Sequence, residues 1–230
     1  MSPSPTDLRA HIESGGSTVY EEIANVLVLV VGTVLAAAAL ALLVVLASFT
    51  DSARVVVASA VYGASVFLSL FFAALYHGVW HAPTKAVFML LDHLSIFVLI
   101  AGTYTPIALL ALPQPMGARM FWTIWALAGV GVSLRIWFGR LHWVLIPVFL
   151  AMGWLCVFWG DALLERLGHG GSWLLFAGGA AYTGGLAFFF WGRLPYNQAI
   201  WHACVVGGVT CHFLVMALYV VPRGVLPSPL

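Results

Sequence analysis

Charge is what this sequence has least of. Asp, Glu, Lys and Arg make up 7% of its 230 residues, against roughly a quarter in a soluble domain, so a water-facing shell cannot be assembled from it. It has one lysine, Lys85, and no basic run. That leaves nothing to neutralise a phosphate backbone, and nucleic acid is excluded as a partner. No lysine lies in an apolar run, which also excludes a retinal Schiff base. Cysteine is equally scarce: Cys156, Cys204 and Cys211 lie singly in apolar stretches without a CxxC pair. They form no disulfide framework and read as buried thiols, with metal ligation by Cys211 beside His212 as the alternative.

What is present in excess is hydrocarbon. Hydrophobic residues reach 63%, and they fall into runs of the ~20 residues that a membrane-spanning helix requires. Seven runs are expected, at 23–49, 55–78, 86–112, 120–138, 143–159, 172–191 and 198–221. Their breaks carry Asp51, Pro83, Pro113 and Pro115, Arg140, Gly160 with Asp161, and Pro195. The runs are too long and too uniformly apolar for the alternating strands of a barrel, and only helices satisfy their own backbone in lipid. The expected fold is all-α, a seven-transmembrane helix bundle. A polar leader at 1–22 precedes one transmembrane domain at 23–221, and a short tail follows at 222–230. No cleavage site for a signal peptidase follows the leader, so the first run reads as a retained span. Arg9, Lys85, Arg135, Arg140 and Arg193 lie on the amino-terminal side, against Arg54, Arg119, Arg166 and Arg223 on the other. Five against four places the amino terminus in the cytoplasm.

Ionisable groups inside spans are costly and mark sites by default. Four stand out: His77 late in the second run, Asp92 early in the third, and His202 and His212 in the seventh. The end of the second span and the starts of the third and seventh share one side of the bilayer, so His77, Asp92 and His202 share one depth. Two imidazoles and a carboxylate are ligand types that Zn²⁺ accepts. Hydrogen-bonded packing is the plainer account of each residue taken singly, and pairing with His93 or Lys85 is the plainer account of Asp92. At 100° per residue Asp92, Ser95, Leu99, Thr103 and Pro106 form one stripe, and Gln198, His202, Val205, Val209 and His212 another. His212 lies about 15 Å deeper than His202, too far to share its metal. His81, His93, His142 and His169 read as solvated, and Arg135 as reaching toward the interface. The paired glycines, among them Gly178 with Gly179 and Gly207 with Gly208, read as close helix packing.

The segments LYHGVWH (75–81), LDHLSIFVLIAGTYTP (91–106) and RLPYNQAIWHACVVGGVTCHF (193–213) resemble the signature blocks of the bacterial hemolysin III family. That family is grouped with the progestin and adipoQ receptors and is more distantly similar to alkaline ceramidases. The resemblance implies seven spans and a zinc ion near the cytoplasmic side, held by one His of the second span and two of the seventh, with an Asp of the third beside it. Carried onto this chain, His77 matches the first ligand, Asp92 the carboxylate, and His202 the second His of the seventh span. Two positions depart from the pattern: Gln198 stands where the family shows its other His, and Ala73 where it shows a Ser. Direct ligation by Asp92, or help from the Gln198 carbonyl, would then complete the set of His77, His202, Asp92 and Gln198; the third alternative, ranked behind these, is a site that binds metal poorly or not at all.

Two functions follow as expectations. The first is a zinc-dependent hydrolase in the bacterial cytoplasmic membrane, acting on an amide or ester of a membrane lipid with Asp92 accepting a proton. The second is a non-enzymatic regulator of lipid or ion homeostasis, with a cytolytic pore ranked behind it, because no water-lining stripe runs along several spans.

Overall fold

The computed structural model describes residues 17–138 and 142–222, the side chains of 142–144 excepted. Most of the leader, the Gly139 and Arg140 break, the side chain of His142 and the tail beyond Pro222 lie outside them. Helix is the only extended element among the described residues: α1 Val19–Ser48, α2 Ala53–Gly78, α3 Ala82–Pro106, α4 Met116–Trp137, α5 His142–Gly153, α6 Gly160–Phe190 and α7 Asn197–Val215. Single π-helical turns extend α3 over Ile107–Ala111 and α7 over Met216–Val220, and a 3₁₀ turn, Trp154–Trp159, joins α5 to α6. The π turn after α3 follows Pro106, whose missing N–H interrupts the regular hydrogen-bond ladder.

Why α1 begins where it does is legible in four residues. Thr18 is its N-cap, its hydroxyl accepts from the Glu21 N–H, and the Glu21 carboxylate takes the Thr18 N–H at 2.8 Å, a reciprocal capping box. The helix therefore starts inside the segment expected as leader, and Glu21 and Glu22 form its first turn. There their negative charge meets the positive end of the helix dipole. Further along, Leu27, Val31 and Val34 are more than half exposed, while Asn25, Leu29, Gly32 and Ala36 are buried. One face thus meets lipid and the other the bundle. α1 packs against both α2 and α7, so the first and last helices close a ring in which α2 meets α3, α3 meets α4 and α6 meets α7.

Six segments are long and apolar enough to cross a bilayer, where the sequence led us to expect seven. The difference lies in the expected break at Gly160 and Asp161. Gly160 adopts right-handed helical angles, and Asp161 sits in the first turn of α6, where an acid is favourable. The chain from Leu145 to Phe190 is therefore one 46-residue segment. A straight helix of that length would span about 70 Å, more than twice the ~30 Å hydrocarbon core. It is not straight, because at Gly168 the backbone leaves the helix with φ 69° and ψ 177°. That region is essentially restricted to glycine and costs other residues about 1–3 kcal/mol. A Cβ there would touch nothing within 4 Å, so Gly168→Ala isolates the backbone cost. We expect a loss of stability of that size, read as a lower thermal midpoint in detergent, and an unchanged midpoint would mean the bend is not held.

Both sequence stripes face inward. Ser95, Leu99, Thr103 and Pro106 are buried on α3, as are His202, Val209 and His212 on α7. Arg135 departs from expectation: instead of reaching for the interface it is 6% exposed and donates through Nε to Nδ1 of His93 at 3.1 Å. A guanidinium within the spans finds its acceptor on a neighbouring helix.

Candidate functional site

α2 and α7 each bring an imidazole to one end of the bundle. His77 sits in the last turn of α2 and is 5% exposed; His202 lies in the second turn of α7 and is 9% exposed. Their rings meet edge to face at 76°, and their Nε2 atoms are 3.1 Å apart. The contact is a hydrogen bond from one ring to the other; two nitrogens bound tetrahedrally to one zinc at ~2.0–2.1 Å would stand about 3.3 Å apart, so the separation is that of a shared ion once the bridging proton is given up.

The start of α7 is set from outside that helix. Tyr196 holds the left-handed conformation at φ 58°, rare for a bulky residue. Its N–H donates to Oε1 of Glu21 at 3.1 Å, and the Asn197 side chain caps the Phe189 carbonyl at 3.1 Å. Those two bonds fix where α7 begins and hence where Gln198 and His202 fall.

Behind His77 stands a group that our sequence reading left out. Oε2 of Glu22 lies 2.6 Å from His77 Nδ1, and its Oε1 is 3.6 Å from Lys85 Nζ. The Asn25 amide nitrogen lies 3.4 Å from Glu22 Oε2, 3.3 Å from His77 Nδ1 and 3.4 Å from Gln198 Oε1. Asn25 is fully buried, and its Oδ1 is without a hydrogen-bond partner among the described residues. An orphaned buried oxygen calls for an explanation, and one beside facing imidazoles is what a polar ligand would satisfy. Lys85 serves Glu22 and lies over the Tyr76 ring at 4.8 Å; its ion pair is with Glu22, not the Asp92 considered from sequence.

His77, Asp92, Gln198 and His202 all line one cavity of about 420 Å³. That is within the range of small-molecule sites. The rest of the lining is largely apolar, including Leu99, Ile100, Phe149 and Leu175, and also carries Thr103, Tyr104, Tyr182 and Thr183. His212 closes the deep end, with Nε2 3.1 Å from the Leu175 carbonyl, remote from the His77 pair as its spacing implied. The close approach there needs bare backbone, since a Cβ on Gly178 would come within 2.4 Å of His212 Nε2. Ala73, in place of the family's Ser, lines the cavity without a polar group. Among the described residues no three His, Cys, Asp or Glu side chains are grouped closely enough to hold a metal. The protein thus brings together two nitrogen donors, with Gln198 tied to them through Asn25; Asp92 lines the same cavity but forms no metal-holding group with them among the described residues.

Glu22 and Asn25 were within reach of the depth argument that found the histidines. They stand three residues apart on one face of α1, at the same side of the bilayer as the end of α2 and the start of α7. The signal was the Thr18-to-Glu21 capping pattern, which places Glu22 inside the helix.

The sequence profile of the family described as Haemolysin-III related matches residues 17–213. Hemolysin-3 of Bacillus cereus is 42% identical over 206 residues, covering 89% of this chain and 94% of that protein. The Hemolysin-3 homolog of Bacillus subtilis (strain 168) is 36% identical over 205 residues, covering 89% and 96%. Monocyte to macrophage differentiation factor of Homo sapiens is 28% identical over 136 residues, covering 57% and 55%.

Proposed function

This chain belongs to the hemolysin III family, and on that premise we propose that it holds a zinc ion between His77 and His202 and hydrolyses an amide or ester of a membrane lipid. The observation that carries this reading is the facing of two Nε2 atoms at 3.1 Å on the wall of a largely apolar cavity. Zinc in such a position supplies Lewis acidity toward a carbonyl and toward water. The residues do the rest. The largely apolar walls hold an acyl chain and keep bulk water from the reacting end, and Asp92, on the wall of the same cavity, takes the proton from the attacking water. Gln198 offers a carbonyl oxygen beside the pair. In this reading the protein lies in the bacterial cytoplasmic membrane with its amino terminus inside, and the 46-residue segment counts as two spans bent at Gly168, giving seven.

A second reading, a non-enzymatic regulator of lipid or ion homeostasis in which a cation, if bound, fastens α2 to α7, is favoured by the lack of a third close donor among the described residues. Elemental analysis of the purified protein, with turnover of ceramide-type and phospholipid substrates measured before and after chelation, separates the two. We expect near-stoichiometric zinc and product formation that stops on chelation. Stoichiometric zinc without turnover supports the fastening role, and absence of zinc sinks the hydrolase and leaves a non-enzymatic regulator without a metal. Liposomes containing the protein are expected to stay tight to ions; leakage would point instead to a pore.

A further inference from the structure

An imidazole binds a cation through one bare nitrogen, and which nitrogen is bare depends on what the other one touches. At His77 the other one is Nδ1, and it lies 2.6 Å from Oε2 of Glu22. An ionised carboxylate can only accept, so at this distance the proton resides on Nδ1 and Nε2 is left bare, aimed at His202. The Asn25 amide nitrogen is also near Nδ1, at 3.3 Å, but two N–H groups do not bond. The short charge-assisted contact governs.

Glu22 is itself held. Lys85 stands at 3.6 Å from its other oxygen, and Asn25 donates to Oε2 at 3.4 Å. The residue is 6% exposed, so water competes little for the carboxylate. A glutamate and an asparagine buried at the start of a membrane helix are costly residues to keep there. Helix formation does not ask for them, since Thr18 and Glu21 already cap α1.

We infer that Glu22 is the positioning residue of the site: through Nδ1 it fixes the tautomer and ring orientation of His77, so that His77 presents a bare Nε2, which accepts from His202 in the metal-free protein and is free to take a divalent cation. α1 thereby becomes a working part of the site, and Asn25 carries the same network to Gln198. The inference rests on the zinc reading above for its purpose, but its first test needs no metal.

Nitrogen-15 spectra of histidine-labelled, metal-free protein, with the His77 resonances assigned by their loss in His77→Gln, are expected to show Nδ1 protonated and Nε2 bare. An Nε2-protonated His77 in the wild-type chain would overturn the proposal, whether or not zinc binds. In a zinc titration Glu22→Leu is expected to weaken binding by about ten- to a hundredfold. Glu22→Gln, whose amide oxygen can still accept from Nδ1, should recover part of that loss and retain the wild-type tautomer. Equal zinc affinity in wild type and Glu22→Leu would reject the role. Should Glu22→Leu fail to fold, the wild-type spectrum and the Glu22→Gln titration still decide. Wild-type protein that shows the expected tautomer and takes up no zinc would sink the metal reading while leaving Glu22 as the residue that orients His77.

Discussion

Replacing His77 and His202 together by Ala is expected to reduce bound zinc to background and lipid turnover by more than about a thousandfold, the loss of several kcal/mol of charge stabilisation at the scissile carbonyl. The effect should be large because these are the two donors the fold brings into a common bonding distance, and no other group among the described residues forms a cluster that could substitute. Either single replacement should come close to the double, since one imidazole cannot hold the ion by itself and the two act as a unit. The measurement is a thin-layer or mass-spectrometric product assay in mixed micelles, run beside elemental analysis of the same samples. Turnover equal to wild type in the double variant would remove the hydrolase mechanism, although the bundle and its family membership would stand.

Asp92→Asn is expected to behave differently. Carboxylate and carboxamide are nearly the same size, so the wall of the cavity is preserved, but the amide cannot take a proton. Zinc content should stay at the wild-type level while turnover falls by about 10²- to 10⁴-fold, the usual contribution of a positioned general base. If zinc falls along with turnover, Asp92 is a ligand and not a base. If neither changes, the carboxylate is structural. The contrast with the histidine variants is what makes the pair informative, since one should lose metal and activity together and the other activity only.

Much of this arrangement was legible in the residues. The composition dictates a membrane protein, the stripe Asp92, Ser95, Leu99 and Thr103 does face the interior, and the shared depth of His77 and His202 does bring them together. Two kinds of feature escaped. The first concerns the ends of spans. A search for apolar runs begins at the first apolar residue, so Glu22 fell one position outside the run that starts at Ile23, although the backbone is helical from Val19. Capping chemistry, not hydropathy, decides where a helix starts. The second concerns breaks. Gly160 and Asp161 look like a loop in one dimension, yet a glycine tolerates helical angles and an acid favours a first turn. The real departure from the helix is at Gly168, within a polar stretch that carries its own His169. Arg135 was misjudged for a related reason: a long basic side chain near a span end has two outlets, and only the position of His93 on α3 shows which one it takes.

The ring of helices has a consequence for how the protein is made. The polar groups at the start of α1 bond to partners 55 residues further on, at His77, and about 175 further on, at Tyr196 and Gln198. When α1 first leaves the ribosome, none of those partners exists, and Glu22 and Asn25 must wait at the membrane surface with water as their only company. Assembly therefore ends where it began: a nascent chain that stops short of its final helix has inserted most of its hydrocarbon and still lacks His202, and only docking of that last helix gives His77 its partner.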